Sequence, residues 1–337
     1  MGKIQLENLE LIEVQVTTRC NISCKYCFNG DITEHSTINT KQFKKFIRKA
    51  LNSENSCSHI NTLRITGGEP LLEQDIVYEL ISFAKENGLS VELSTNGILL
   101  ASCLSDLIAL GLDAVKISFD SFDSDLFSDQ RGNYGQQAES CIKSVISSPI
   151  MLTVRVTITE NCLTGITDTI KRLLAEGVDF VEVKSVVPVG RASPAMVPPH
   201  ENLYRVLEEI SKNWPPEKVT ILCCYLPFCE GYNVVNNKAC TCCSTTAYVT
   251  ADGYIGPCSY FPKLNWYNIV EHDLDNVFLS EEFSNIRNGL RTACKDCGDW
   301  RDCRNGCPAI LYSHKSPTDS CFELVSSLMQ SNTRQQA

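Results

Sequence analysis

No window of 18 or more apolar residues occurs in the 337-residue sequence, and the opening Met1-Gly2-Lys3-Ile4-Gln5 lacks the charged-then-apolar order of a signal peptide. Neither a membrane partner nor secretion is expected, and the chain is placed in the cytoplasm. Basic residues are also in deficit, with 30 Lys and Arg against 40 Asp and Glu and a formal charge of −10. That charge is spread along the chain, and no Lys/Arg run with interleaved aromatics occurs. Repulsion by phosphates therefore argues against nucleic acid as a partner. What remains is a globular chain, 43% apolar, long enough for a barrel-sized domain and a smaller one.

Cysteine, in contrast, is abundant: 19 residues, several at CxxC spacings. In a large chain without a secretion signal, such clusters point to metal ligation in a reducing compartment rather than to disulfides. The first framework, Cys20-x3-Cys24-x2-Cys27, directly follows a strand-like apolar run. Three thiolates are one short of what a [4Fe-4S] cluster or a tetrahedral zinc takes, and an open fourth position is what a catalytic site keeps. A zinc knuckle would need a fourth ligand nearby, for which His35 is the local candidate.

Short β-branched runs at Leu11–Thr17, Thr62–Thr66, Ser90–Ser94, Ala114–Phe119, Leu152–Thr157 and Phe180–Val183 alternate with stretches of helical period near 40–51, 73–87, 101–110, 135–147 and 164–176. A further helix is expected at 201–212. Six such units predict an α/β fold, a parallel sheet curved into a partial (β/α)6 barrel, since a closed eightfold barrel needs two more. Active sites of parallel sheets gather at the strands' C-terminal ends. The polar motifs fall there: the Cys triplet after strand one, Gly67-Gly68-Glu69-Pro70 after strand two, Thr95-Asn96-Gly97 after strand three, Ser118 and Asp120 at the end of strand four, Arg131 in the loop beyond, and Gly190-Arg191 after strand six.

The triplet, with Tyr26 before its third cysteine, resembles the CxxxCxΦC motif of the radical S-adenosylmethionine (SAM) superfamily, whose fold is also a partial (β/α)6 barrel. The resemblance implies that Cys20, Cys24 and Cys27 hold a [4Fe-4S] cluster and that the SAM amine and carboxylate fill its open iron site. One electron from the cluster then splits SAM into methionine and a 5′-deoxyadenosyl radical. Gly67, Gly68 and Glu69 look like the family segment whose backbone meets the SAM amine. Asn96, Ser118 and Asp120 resemble the positions that hold its ribose and carboxylate. Arg131 is a candidate partner of that carboxylate, and Tyr26 and Phe28 are candidates to pack on the adenine. Taken without the resemblance, the Ser, Asn and Asp positions read equally well as caps and turn formers.

A second framework lies toward the C-terminus. Cys243-x9-Gly253-x4-Cys258 precedes Cys294-x2-Cys297-x5-Cys303-x3-Cys307, and Cys321 follows. The run resembles the SPASM extension of some radical SAM enzymes, which carries one or two auxiliary [4Fe-4S] clusters. The resemblance implies Cys294, Cys297, Cys303 and Cys321 on one cluster, with Cys258 and Cys307 on the other beside two of Cys240, Cys242 and Cys243. Cys240 and Cys243 are taken as that pair, although three residues compete for two places. A pair of zinc sites is the alternative reading of the spacing. The expected domains are a radical SAM barrel at 1–212, a bridging segment at 213–239, a small cysteine-rich SPASM domain at 240–325 and a disordered tail at 326–337.

These readings predict a radical SAM oxidoreductase that abstracts hydrogen from a substrate carbon. Oxidative modification or cross-linking of a ribosomally made peptide or protein is the leading expectation. The alternatives are a dehydrogenase, epimerase or decarboxylase of a small molecule and, in another class, a non-enzymatic iron-sulfur or zinc scaffold. An electron donor such as flavodoxin or ferredoxin is implied. Only 19 residues precede Cys20, so a fused leader-binding domain is not expected and a separate leader-peptide-binding protein would take its place. No sequence feature singles out a general base or a hydrogen donor.

Overall fold

Each of the six β-branched runs forms a strand in the computed structural model, which describes residues 9–30, 34–53, 58–222, 241–261, 267–288 and 309. They are β1 (Leu9–Gln15), β2 (Ser58–Thr66), β3 (Ser90–Thr95), β4 (Ala114–Ser118), β5 (Met151–Ile158) and β6 (Phe180–Ser185). Among them lie helices α1 (Thr40–Leu51), α2 (Gln74–Glu86), α3 (Leu100–Ala109), α4 (Ser124–Arg131), α5 (Gly135–Ile146) and α6 (Ile166–Glu176), with α7 (His200–Asn213) after β6. Local chemistry explains them. Asn39 opens α1 by accepting the Gln42 amide at 3.1 Å. Phe43, Phe46, Ile47 and Ala50 then recur at helical spacing and are buried, while Lys41, Lys45 and Lys49 stay exposed. Each large apolar side chain so buried contributes roughly 1.5–3 kcal/mol.

The spatial strand order from β6 back to β1 is the reverse of the chain order, and every neighbouring pair among these six is parallel. An order that never reverses, joined by right-handed crossovers, puts the connecting helices on one face and leaves the other as the open, concave interior. The helix-facing side carries an apolar core including Ile12, Ile65, Leu93, Ile117, Val154 and Val183. The interior side is charged. Arg64 bonds Glu92 at 2.7 Å and approaches Glu13 at 3.5 Å, while Glu182 takes both Lys116, at 2.7 Å, and Arg155.

The sheet is wider than the six expected strands. A short β7 (Val219–Ile221) pairs with β6 on one edge, and β8 (Thr246–Val249) pairs in parallel with β1 on the other. The antiparallel β9 (Ile255–Gly256) follows β8, giving nine strands among the described residues. Helices α8 (Leu274–Phe278) and α9 (Glu281–Asn288) come next, and Leu274, Val277, Phe278 and Phe283 belong to the buried core. A segment expected to stand apart thus donates a strand to the barrel sheet. No helix among the described residues is long and apolar enough to cross a membrane.

Candidate active site

The cysteine loop begins where β1 ends and is fixed mainly through its backbone. Val16 donates to Thr66 at 2.7 Å, and the returning segment closes on the loop through Ile38 to Val16 at 2.8 Å and Thr18 to Ser36 at 3.0 Å. From the far side of the barrel, the segment after β6 grips the loop. The Arg191 amide donates to the Cys27 carbonyl at 3.0 Å, and its Nε donates to the Cys24 carbonyl at 3.0 Å. Gly190, at φ +65°, lies so close that a Cβ would sit 2.4 Å from the Phe28 oxygen and 2.5 Å from the Cys27 oxygen. Sequence reading placed Gly190 and Arg191 at the strand end but gave them no part in holding the cysteines.

All three cysteines line one cavity at the C-terminal ends of the strands. Cys20 is exposed at its mouth, Cys27 half-buried and Cys24 buried. Protein packed around the sulfur, and then Glu69 and the other two cysteines, push the Cys20 thiol up to about 11. Burial likewise raises the Cys24 thiol, against the pull of Arg131. Among the described residues no group of three or more His, Cys, Asp or Glu is arranged to hold a single metal ion, and His35 does not line this cavity. Three thiols around one cavity, with Cys20 and Cys24 disfavoured as bare thiolates, fit a polynuclear cationic group that favours the charged form.

Gly67 and Gly68 run beside the start of that loop. The Gly68 amide donates to Thr17 at 2.7 Å, the Glu69 amide to Arg19 at 2.8 Å, and a Cβ on Gly68 would lie 2.2 Å from the Arg19 oxygen. The Glu69 carboxylate turns away from the cavity and is fully buried. It accepts the Thr95 hydroxyl at 2.7 Å, the Asn96 amide at 2.8 Å and the Leu71 amide at 3.2 Å, joining the β2 and β3 loops. Burial outweighs these bonds and raises its pKa to about 7. Asn96 carries on toward the cysteines, donating to Asn21 at 2.8 Å.

Asp120 is a second buried hub. It accepts Arg131 Nε at 2.6 Å and Nη2 at 3.1 Å, the Thr157 amide at 2.9 Å and the Tyr26 hydroxyl. Burial opposes the charge on Arg131, and Asp120 more than compensates, holding the guanidinium charged. Arg131 ends α4 instead of lying in a loop. It stacks 5.3 Å from the Tyr26 ring centroid, and its Nη1 reaches within 3.9 Å of Cys24 Sγ.

Of the nine expected cofactor contacts, Tyr26, Phe28, Gly67, Gly68, Asn96, Ser118 and Arg131 line the cavity, whereas Glu69 and Asp120 stand behind its wall. Four lining residues that sequence reading did not select are Arg155, Lys184, Ser185 and Tyr260. Register puts Arg155 and Lys184 on the charged inner face, whereas Ser185, the next residue on β6, alternates to the other side. Cys103, Cys141 and Cys162 are buried. The Cys162 sulfur accepts the Thr159 amide at 3.0 Å, a capping role.

A family model for the radical SAM superfamily matches residues 14–170, and one described as an iron-sulfur cluster-binding domain, SPASM, matches 240–298. Together they span most of the chain and place the cysteine loop and the cavity within a single known architecture. The chain belongs to the radical SAM superfamily. Its core therefore binds a [4Fe-4S] cluster and SAM, and its SPASM region binds auxiliary iron-sulfur clusters. This radical SAM protein is 27% identical to a GTP 3′,8-cyclase of Clostridium acetobutylicum, over 82% of this chain and 91% of the relative. It is 28% identical to that of Desulforamulus reducens, over 75% and 82%. Its fold matches the crystal structure of Streptococcus suis SuiB bound to SAM with a TM-score of 0.74 at 19% identity, covering 92% of this chain and 76% of SuiB. It also matches native anSMEcpe with bound AdoMet at a TM-score of 0.71 and 16% identity, covering 96% and 98%.

In the SPASM region, Cys242 and Cys243 are buried with sulfurs 3.9 Å apart, and Cys258 is half-buried. Cys243 adopts φ +57°, uncommon for a residue with a Cβ. Cys240, Cys294, Cys297, Cys303, Cys307 and Cys321 lie outside the described residues, as does the expected tail.

Proposed function

We propose that this radical SAM enzyme oxidises a ribosomally made peptide or protein, leaving a double bond, a carbonyl or a cross-link. The observation that carries this reading is the second cysteine framework, Cys243-x9-Gly253-x4-Cys258 followed by Cys294-x2-Cys297-x5-Cys303-x3-Cys307 and Cys321. With the cluster and SAM bound, the core supplies a 5′-deoxyadenosyl radical, and the auxiliary clusters supply an exit for the second electron that an oxidation must remove. Hydrogen removal from carbon, then loss of one electron and one proton, balances such a reaction.

The residues divide the work as follows. Cys20, Cys24 and Cys27 hold the cluster. Gly67 and Gly68 offer backbone to the SAM amine, Asn96 and Ser118 offer polar side chains, and Tyr26 and Phe28 offer rings to the adenine. Glu69 and Asp120 act from behind, fixing the β2–β3 loops and the Tyr26–Arg131 pair. Arg131, held by Asp120 and lining the cavity, offers its guanidinium to the SAM carboxylate. Cys240, Cys243 and Cys258 share one auxiliary cluster with Cys307, and Cys294, Cys297, Cys303 and Cys321 hold the other. The bounds 1–212, 213–239, 240–325 and 326–337 stay our division of the chain, with β8 as the strand that ties the SPASM segment to the barrel. A flavodoxin or ferredoxin would deliver electrons, and a separate leader-binding protein would present the peptide.

A second reading, chemistry on a purine nucleotide, is favoured by the curated relatives named GTP 3′,8-cyclase, which match over most of both chains. One experiment separates the two. Reduced, reconstituted enzyme is incubated with SAM and either GTP or a short peptide encoded beside its gene, and products are read by mass spectrometry. A peptide that loses two hydrogens, with stoichiometric 5′-deoxyadenosine, supports our reading. Conversion of GTP with an untouched peptide replaces it.

A further inference from the structure

The β5–β6 side of the cavity carries chemistry that neither the cluster nor SAM has claimed. Although the chain bears a formal charge of −10, the cavity is lined by three cations, Arg131, Arg155 and Lys184, and among the described residues by no Asp or Glu. Arg131 belongs to the cysteine side through Asp120 and Cys24. The other two stand on adjacent parallel strands. Register sets Arg155 beside Glu182 and Thr157 beside Lys184, so all four share the inner face, with Arg155 and Lys184 diagonal to one another.

Each of the two cations is oriented. Glu182 holds Arg155 from below and is itself bonded to Lys116 at 2.7 Å, while the Lys184 ammonium lies 4.0 Å from the centroid of the Tyr260 ring. Ser185, the next residue on β6, alternates to the opposite face, and its buried hydroxyl does not open on the cavity.

We infer that Arg155 and Lys184 form a subsite for one anionic group of the substrate, a carboxylate or a phosphate. The inference rests on the reading of this cavity as the active site, and it adds the chemistry by which the substrate is gripped. Guanidinium and ammonium donors converging in a cleft form charge-assisted bonds to such an anion. A positive cleft in an acidic protein also concentrates anionic ligands locally. Peptide and nucleotide substrates can both supply the group, through an acidic side chain or terminus in one case and a phosphate in the other.

The test is equilibrium dialysis of labelled glutarate and of inorganic phosphate against the reconstituted, SAM-loaded protein, for wild type, Lys184→Gln, Lys184→Arg and Ser185→Ala. SAM affinity and substrate-free SAM cleavage are measured on the same samples. We expect saturable retention of a probe that weakens about tenfold in Lys184→Gln, recovers in Lys184→Arg and is unchanged in the control Ser185→Ala, with SAM affinity unchanged. Glutarate retained over phosphate identifies a carboxylate source, and the reverse a phosphoryl source. No retention of either probe, retention indifferent to Lys184→Gln, or a matching loss of SAM affinity would overturn the subsite. Failure of the wild type to cleave SAM would instead remove the active-site reading on which it stands.

Discussion

The β1–β3 wall of the cavity is made by backbone approaching backbone, whereas the β5–β6 wall is made by side chains. On the first, Gly68 brings main chain within a distance that leaves no room for a Cβ, Gly190 reaches over from the segment after β6 to do the same, and the cysteine loop is gripped through its amides and carbonyls. On the second, Arg155, Thr157 and Lys184 project from regular strands whose backbone would look the same with other residues. The first wall is therefore intolerant of added atoms, and the second is free to change its chemistry without changing its shape. A fixed reaction centre facing an adjustable wall is what one fold needs to act on different substrates.

Substitutions can break this contrast or sharpen it. The largest effect is expected from Gly68→Ala and Gly190→Ala, which force backbone apart at the cysteine loop. Iron in the reconstituted protein should fall by about four per chain and SAM cleavage should vanish, whereas Lys184→Gln should keep its full iron. Equal iron loss in all three would erase the difference between the walls.

Next is Asp120→Asn, which leaves the buried Arg131 charge without its partner. Urea unfolding should show a loss of about 3–5 kcal/mol, because removing one member of a buried pair strands the other. Glu69 should give a smaller, pH-dependent effect. Its pKa is raised by burial to about 7, so between the ordinary carboxylate range and pH 7 the folded state binds the extra proton. Stability should thus be greatest at the acid end of that window and fall as pH rises through it, by a few kcal/mol at most, a trend that Glu69→Gln should flatten in thermal melts. The smallest effect belongs to Lys25→Ala at the exposed Lys25–Asp129 pair, where a change of about 0.5 kcal/mol or less is expected.

The same contrast explains what could be read from the sequence. Close backbone approach demands glycine, and cluster ligation demands cysteine at fixed spacing, so Gly67, Gly68 and the Cys20/Cys24/Cys27 triplet announce themselves. The six core strands were equally legible, because each is β-branched and followed by a helical period. Arg191 was not, since its partners are backbone carbonyls 164 and 167 residues away, which leave no mark on residue type. Lys184 and Arg155 were hidden for another reason: whether a strand cation faces the cavity or the helices depends on a one-residue phase that only the register fixes. Glu69 and Asp120 were found as polar residues at strand ends, but sequence could not tell a cavity contact from a support one layer behind. The added strands β7 and β8, three and four residues long, are too short for alternation to reveal them.

The most direct test of the central claim is to count iron and sulfide in anaerobically reconstituted protein while assaying SAM cleavage to 5′-deoxyadenosine. Wild type is set against a variant with Cys20, Cys24 and Cys27 all changed to Ala. Three cubane clusters predict about twelve irons falling to about eight, with cleavage abolished and the auxiliary clusters retained. Zinc in place of iron, or a triple variant that still cleaves SAM, would contradict it.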